Sequence, residues 1–149
     1  ALGNEMASTL HRLTGSALVG SQEYLSAIDA FAGAIALTPQ APELHLLQAD
    51  AFFATHDFVG GTTCLDRAVA IDRSYAKYYE NMGDNLLVSG QPSDALAAYE
   101  KCFLLLPEEI RLLKKMGDCY LAQDQPEAAL EAYQQFKARL GSGTDVLNR

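Results

Sequence analysis

The sequence has no tryptophan, only three cysteines and five prolines, and few runs of β-branched residues. An odd number of widely separated cysteines (Cys64, Cys102, Cys119) argues against a disulfide framework, and no Cys-x-x-Cys pair offers a zinc or redox site. Reduced thiols in a cytoplasmic protein are therefore expected. Basic residues are also scarce: 11 Lys and Arg face 19 Asp and Glu, a formal charge of -8. Nucleic-acid affinity rests on cations that neutralise phosphates, so that partner class is disfavoured, and basic or neutral peptides fit better. No apolar run approaches the roughly 20 residues of a membrane-spanning helix. Ala1 to Ser8 lack both the basic stretch and the apolar core of a signal peptide. A first residue other than Met leaves open that the chain is processed or cut from something longer.

What is present points to helix. Alanine is abundant, 49% of residues are hydrophobic and 20% charged, which suits one globular domain of 149 residues. The decisive feature is a repeat of 34 positions. Gly83, Ala95, Tyr99, Cys102 and Pro107 recur as Gly117, Ala129, Tyr133, Phe136 and Gly141, and earlier as Gly15, Ala27, Phe31, Ala34 and Pro39. One copy is weaker: Ala49 stands for the first glycine and Gly61 for the alanine, followed by Leu65, Ala68 and Arg73.

Small, small, large, small and then a breaker is the spacing of the tetratricopeptide repeat, which the chain resembles in four units, 8–41, 42–75, 76–109 and 110–143. The resemblance implies an all-α, right-handed α-solenoid of four helical hairpins forming a single domain over 1–149, with 144–149 as a flexible tail. Glycine inside a helix costs roughly 1 kcal/mol relative to alanine. Its recurrence at Gly15, Gly83 and Gly117 therefore implies a neighbouring helix too close for a side chain. Ala27, Ala95 and Ala129 face that contact, and Phe31, Tyr99 and Tyr133 fill the gap beside it. Pro39 and Pro107 stop the second helices. Polar breaks at 20–22, 55–57, 89–92 and 123–126 divide the hairpins, which predicts helices near 8–20, 23–37, 42–54, 57–71, 76–88, 92–105, 110–122 and 126–140. The last helix carries Lys137 and Arg139 where earlier units are apolar, the polar outer face a terminal repeat needs. Its remaining stripe, Ala129, Leu130, Tyr133, Phe136 and Leu140, leaves open self-association through that helix.

Catalytic chemistry finds no foothold. His11 and His45, 34 apart, share a place that in this family holds a bulky core residue, so both are expected to be packed and hydrogen-bonded. His56 has only Asp57 beside it and no third group at metal spacing. Neither a phosphate loop nor a nucleophile elbow occurs. The chain is expected to be no enzyme and to need no metal or cofactor.

The resemblance places the first helix of each unit on a concave, peptide-binding face. It contributes Thr9, Arg12, Ser16 and Val19; Leu46, Asp50 and Phe53; Lys77, Glu80, Asn81, Asp84, Leu87 and Val88; and Arg111, Lys114, Lys115, Asp118 and Leu121. Two ladders repeat at 34: Asp50, Asp84 and Asp118, and one turn further along, Val19, Phe53, Leu87 and Leu121. The carboxylates need positive or donor groups among them. Those come either from Lys77, Arg111, Lys114 and Lys115 of the same layer or from a partner with apolar anchors and basic character. A protein-interaction scaffold that binds an extended or helical segment is the leading expectation. An acidic chaperone like those of type III secretion, or a structural subunit of an assembly, are the alternatives. The carboxylate clamp of chaperone-binding relatives is half present: Asn81, Arg111 and Lys115 fit it, whereas Leu46 and Asp50 replace a required Lys and Asn.

Overall fold

The computed structural model describes residues 2–147, with side chains as far as Ser142. Eight α-helices follow one another: α1 (Leu2–Gly20), α2 (Tyr24–Leu37), α3 (Pro42–Ala54), α4 (Phe58–Ile71), α5 (Lys77–Val88), α6 (Pro92–Leu105), α7 (Arg111–Ala122) and α8 (Pro126–Leu147). A 3-10 turn, Arg73–Ala76, leads into α5, and no strand occurs among the described residues. Six helices match the predicted bounds to within a residue; the outermost two are longer than expected. α1 begins at Leu2, ahead of the start that the repeat register predicts. α8 continues past 140 because glycine, unlike proline, keeps its N–H, and Ser142 Oγ donates to the Ala138 carbonyl at 3.0 Å. Of the tail expected over 144–149, residues 148 and 149 lie outside the described residues.

The helices form two compact units, Ala1–Tyr75 and Ala76–Arg149, which meet at the predicted boundary between the second and third repeats. The first holds hairpins α1/α2 and α3/α4, joined by packing of α2 on α3; the second holds α5/α6 and α7/α8, joined by α6 on α7.

Each hairpin closes on a glycine. A Cβ at Gly15 would lie 2.5 Å from the Phe31 ring, and at Gly83 and Gly117 it would lie 2.5 Å from Tyr99 and Tyr133. These are the contacts the repeated glycines predict, and Phe31 and Tyr99 are fully buried. The second hairpin reverses the arrangement. There Ala49 and Leu65, both buried, hold the repeat positions of the glycine and the aromatic, and the close approach moves to Gly61, whose missing side chain is filled by Phe53 from the first helix.

The turns inside the hairpins share one geometry. Gln22, His56, Gly90 and Asp124, spaced by 34, all have positive φ (62°, 63°, 79° and 57°). Each sits at the end of a first helix, and the next residue donates back five positions: Glu23 to Leu18, Asp57 to Phe52, Gln91 to Leu86 and Gln125 to Tyr120, at 2.8 to 3.0 Å. This is the Schellman closure, which favours glycine at its left-handed residue. Only Gly90 meets that preference. Gly90→Ala should therefore cost about 1 kcal/mol, and Gln22→Gly should stabilise, both read from urea midpoints at unchanged m-value.

Candidate protein-interaction site

In the second unit, the first helices of the two hairpins bring charge together. Arg111 on α7 grips Glu80 on α5 with both arms of its guanidinium, Nη2 to Oε1 at 2.8 Å and Nε to Oε2 at 3.0 Å. Lys115, one turn on, reaches Glu80 Oε2 at 2.9 Å and both Asp84 oxygens at 2.9 and 3.1 Å. Tyr99 Oη, on the second helix of the same hairpin, donates to Asp84 Oδ1 at 2.6 Å. Arg111 also pairs with Glu109. Glu80 is buried in this cluster, and its hydrogen bond from Arg111 holds its carboxyl below the usual glutamate range, against the opposing effect of burial. Burial works against the Lys115 charge, but the bonds to Asp84 and Glu80 outweigh it and raise its pKa. Burial, reinforced by the bond to Asp84, pushes the Tyr99 phenol far up.

The aspartate ladder thus has an internal explanation in this unit. Tyr133 Oη donates to Asp118 Oδ1 at 2.5 Å, repeating the Tyr99 to Asp84 bond, and burial together with that bond pushes its phenol up to about 12. Where the large residue below is Phe31 or Leu65, no hydroxyl exists to make the bond. Ser16 stands where the aspartate would be in the first hairpin, and Asp50 in the second makes no hydrogen bond or ion pair among the described residues. Asp50 keeps solvent contact, yet the protein around it withdraws enough water to raise its carboxyl above the ordinary range.

The apolar ladder divides as well. Val19 packs against the cluster of Ala27, Phe31 and Ala51, and Phe53 lies on Gly61 with its ring 6.1 Å from that of Phe58. Leu46 and Leu87 are half-buried. Leu121 and Val88 stand out in solvent, 53% and 90% exposed. Arg12 is half-buried; Ser16, Lys77, Asn81 and Lys114 are exposed, with the Lys77 ammonium 5.3 Å from the Tyr78 ring.

The histidines part company. His45 is buried and bonds the Pro39 carbonyl through Nε2 at 2.9 Å, as expected, but its Nδ1 has no partner. His11 is exposed, contrary to expectation, and its ring lies alongside Gly33. All three cysteines are buried free thiols, and burial pushes Cys119 up to about 11. No group of three His, Cys, Asp or Glu side chains among the described residues lies close enough to hold a metal ion. No helix among them is long and apolar enough to cross a membrane.

The missed partners had a visible signal. Tyrosine occupies the large position only in the two hairpins whose first helix carries an aspartate 15 residues earlier and a lysine or arginine nearby. Covariation of those residue types between hairpins marks the internal bond.

Comparison with known proteins agrees with this architecture. A family model described as the bacterial transcriptional activator domain matches residues 10–146. No curated protein matches the sequence. Among solved structures, a crystal structure of MamA superposes with a TM-score of 0.64 at 20% identity, covering 93% of this chain and 75% of that one. The first repeat domain of Spaghetti (RPAP3), bound to the HSP90 peptide SRMEEVD, gives 0.60 at 22% identity, covering 80% and 95%. PilF of Pseudomonas aeruginosa gives 0.55 at 19% identity, covering 90% and 61%. The fold is the all-α, tetratricopeptide type of helical solenoid.

Proposed function

Because the chain belongs to the bacterial transcriptional activator domain family, we propose that it is the protein-contacting module of a cytoplasmic regulator and binds an extended or helical segment of a partner. The binding face lies on the first helices of the second unit, α5 and α7. The observation that carries this reading is the contrast on α5 and α7: Glu80, Asp84, Arg111 and Lys115 satisfy one another, while Val88 and Leu121 are left in solvent. Partner affinity then comes from apolar anchors on these residues and on Leu87. Asp118, Asp50 and the net charge of -8 favour a basic or donor-rich flank and speed encounter.

The HSP90 peptide held by the RPAP3 domain ends in an acidic tail. A ligand of that kind suits this chain poorly, since Arg111 and Lys115 are already engaged by Glu80 and Asp84. Direct contact with a nucleic-acid backbone is disfavoured by the net charge of -8 and by the engagement of Arg111 and Lys115.

A displayed library of 12-residue peptides, selected on the whole chain, tests the proposal. Enriched peptides should carry spaced apolar residues beside Lys or Arg. Leu121→Asp should weaken them about tenfold or more at any salt concentration, because lost apolar burial is not screened. Asp84→Asn should lower the melting temperature and leave affinity nearly unchanged. Peptides that bind Leu121→Asp as tightly as the parent would sink the proposal.

A further inference from the structure

One face of α1 presents large apolar side chains to solvent. Leu2, Met6, Leu10 and Leu13 are 72%, 66%, 66% and 53% exposed, and their spacing of four, four and three residues sets them in one stripe. Ala17 and Gly20, also exposed, extend it at four and three. The stripe lies opposite the buried face of the helix, where Gly15 meets Phe31 and Ser8 Oγ donates to the Ala34 carbonyl at 3.1 Å. A seam of this spacing is what a second helix with the same repeat packs against. Over its length of about 28 Å, α1 offers little charge to oppose such packing, only Glu5 and Arg12.

We propose that this stripe seats a second copy of the chain, α1 against α1 in antiparallel orientation. Two features select that occupant. The stripe is wide at its start (Leu2, Met6) and narrow at its end (Ala17, Gly20), so two antiparallel copies crossing near Leu10 set the bulky first turn of each stripe against the small last turn of the other. Leu2 then lies against Ala17 of the second copy, and Met6 against Leu13. The charges agree with the same register. Glu5 and Arg12 are seven residues apart and share one flank of the stripe. In antiparallel helices like flanks face each other, which brings Glu5 to within one turn of Arg12 of the second copy. In a parallel pair unlike flanks face each other, so Glu5 of one copy would not meet Arg12 of the other. The contact is self-complementary, as a two-fold interface must be. With four large anchors per copy it buries roughly 1,000 Å² in all, the low end of specific interfaces, so the dimer dissociates on the order of micromolar.

Sedimentation equilibrium of the whole chain from about 1 to 500 μM tests this against its rivals. The mass should rise with concentration from 16.1 kDa towards twice that value. Leu10→Asp, and the milder Leu13→Gln, should remain monomeric across the range with unchanged helical circular dichroism. Glu5→Arg should weaken the dimer several-fold, and adding Arg12→Glu should restore it. Leu10→Cys should crosslink to itself under oxidised glutathione whereas Leu2→Cys should not; the native thiols are buried and do not compete. A chain that stays monomeric throughout overturns the proposal. So does a dimer that survives Leu10→Asp, which would locate self-association elsewhere, for instance on Leu130 and Leu140 of α8. Crosslinking through Leu2→Cys but not Leu10→Cys overturns the antiparallel seam.

Discussion

Gly83→Val is expected to destabilise the chain by about 3 kcal/mol and lower its melting temperature by on the order of 10 °C. The first added carbon alone would sit 2.5 Å from Tyr99 Cε1 and 2.7 Å from Cδ1. The ring cannot swing aside, since it is buried and its hydroxyl is held by Asp84 at 2.6 Å. Valine's second branch then worsens the clash and adds a χ1 restriction in the helix. Gly83→Ala would gain helix propensity of roughly 1 kcal/mol but meets the same ring, so it too should be destabilising. The second hairpin already carries the compatible combination, Ala49 and Leu65, at the two corresponding repeat positions. Combining Gly83→Ala with Tyr99→Leu should therefore recover much of the loss, a coupling of about 1 kcal/mol or more in a double-mutant cycle. Simple additivity of the two changes would show that Gly83 and Tyr99 do not meet.

The second large effect belongs to Glu80. Glu80→Ala removes the acceptor for both arms of Arg111 and for Lys115, and should cost about 2 kcal/mol at neutral pH. The figure is held down by Arg111, more than half of whose side chain remains in water. The pH dependence has a definite sign. The hydrogen bond from Arg111 lowers the folded-state pKa of Glu80 below its ordinary 4.5. Its stabilisation is therefore complete above 4.5 and is lost as pH falls through the folded value. Urea titrations of the parent and of Glu80→Gln between pH 7 and pH 3 should converge on the acid side. Curves that stay parallel would mean that Glu80 is not the group responsible.

Most of the fold was legible in the sequence because its period is enforced by steric exclusion. A glycine, an alanine and an aromatic at fixed offsets can only be read as a helix hairpin, and the breaks between them place the turns. The shared left-handed turn residue was less visible, since three of its four positions hold Gln22, His56 and Asp124 rather than glycine. The ends were misjudged for a related reason: periodicity says where a repeat starts, not where a helix stops, and no proline bounds α1 or α8 on its outer side. The interaction face was legible by position only. Counting Asp84 and Asp118 as a ladder was right in register, but the hydroxyls of Tyr99 and Tyr133 beneath them and the Lys115 ammonium beside Asp84 are three-dimensional facts. His11 fails for the same reason, because a place in the repeat does not by itself fix burial.

The account's central claim is that exposed apolar residues on α5 and α7 receive a partner segment while the charges between them hold the unit together. Amide chemical shifts of the ¹⁵N-labelled chain, followed during titration with a peptide selected from the displayed library, test it most directly. The account predicts the largest shifts at Leu87, Val88, Asp118 and Leu121, with the Arg111 and Lys115 side-chain bonds to Glu80 intact at saturation. Shifts concentrated on α6 and α8, or release of Arg111 and Lys115 to the peptide, would contradict it.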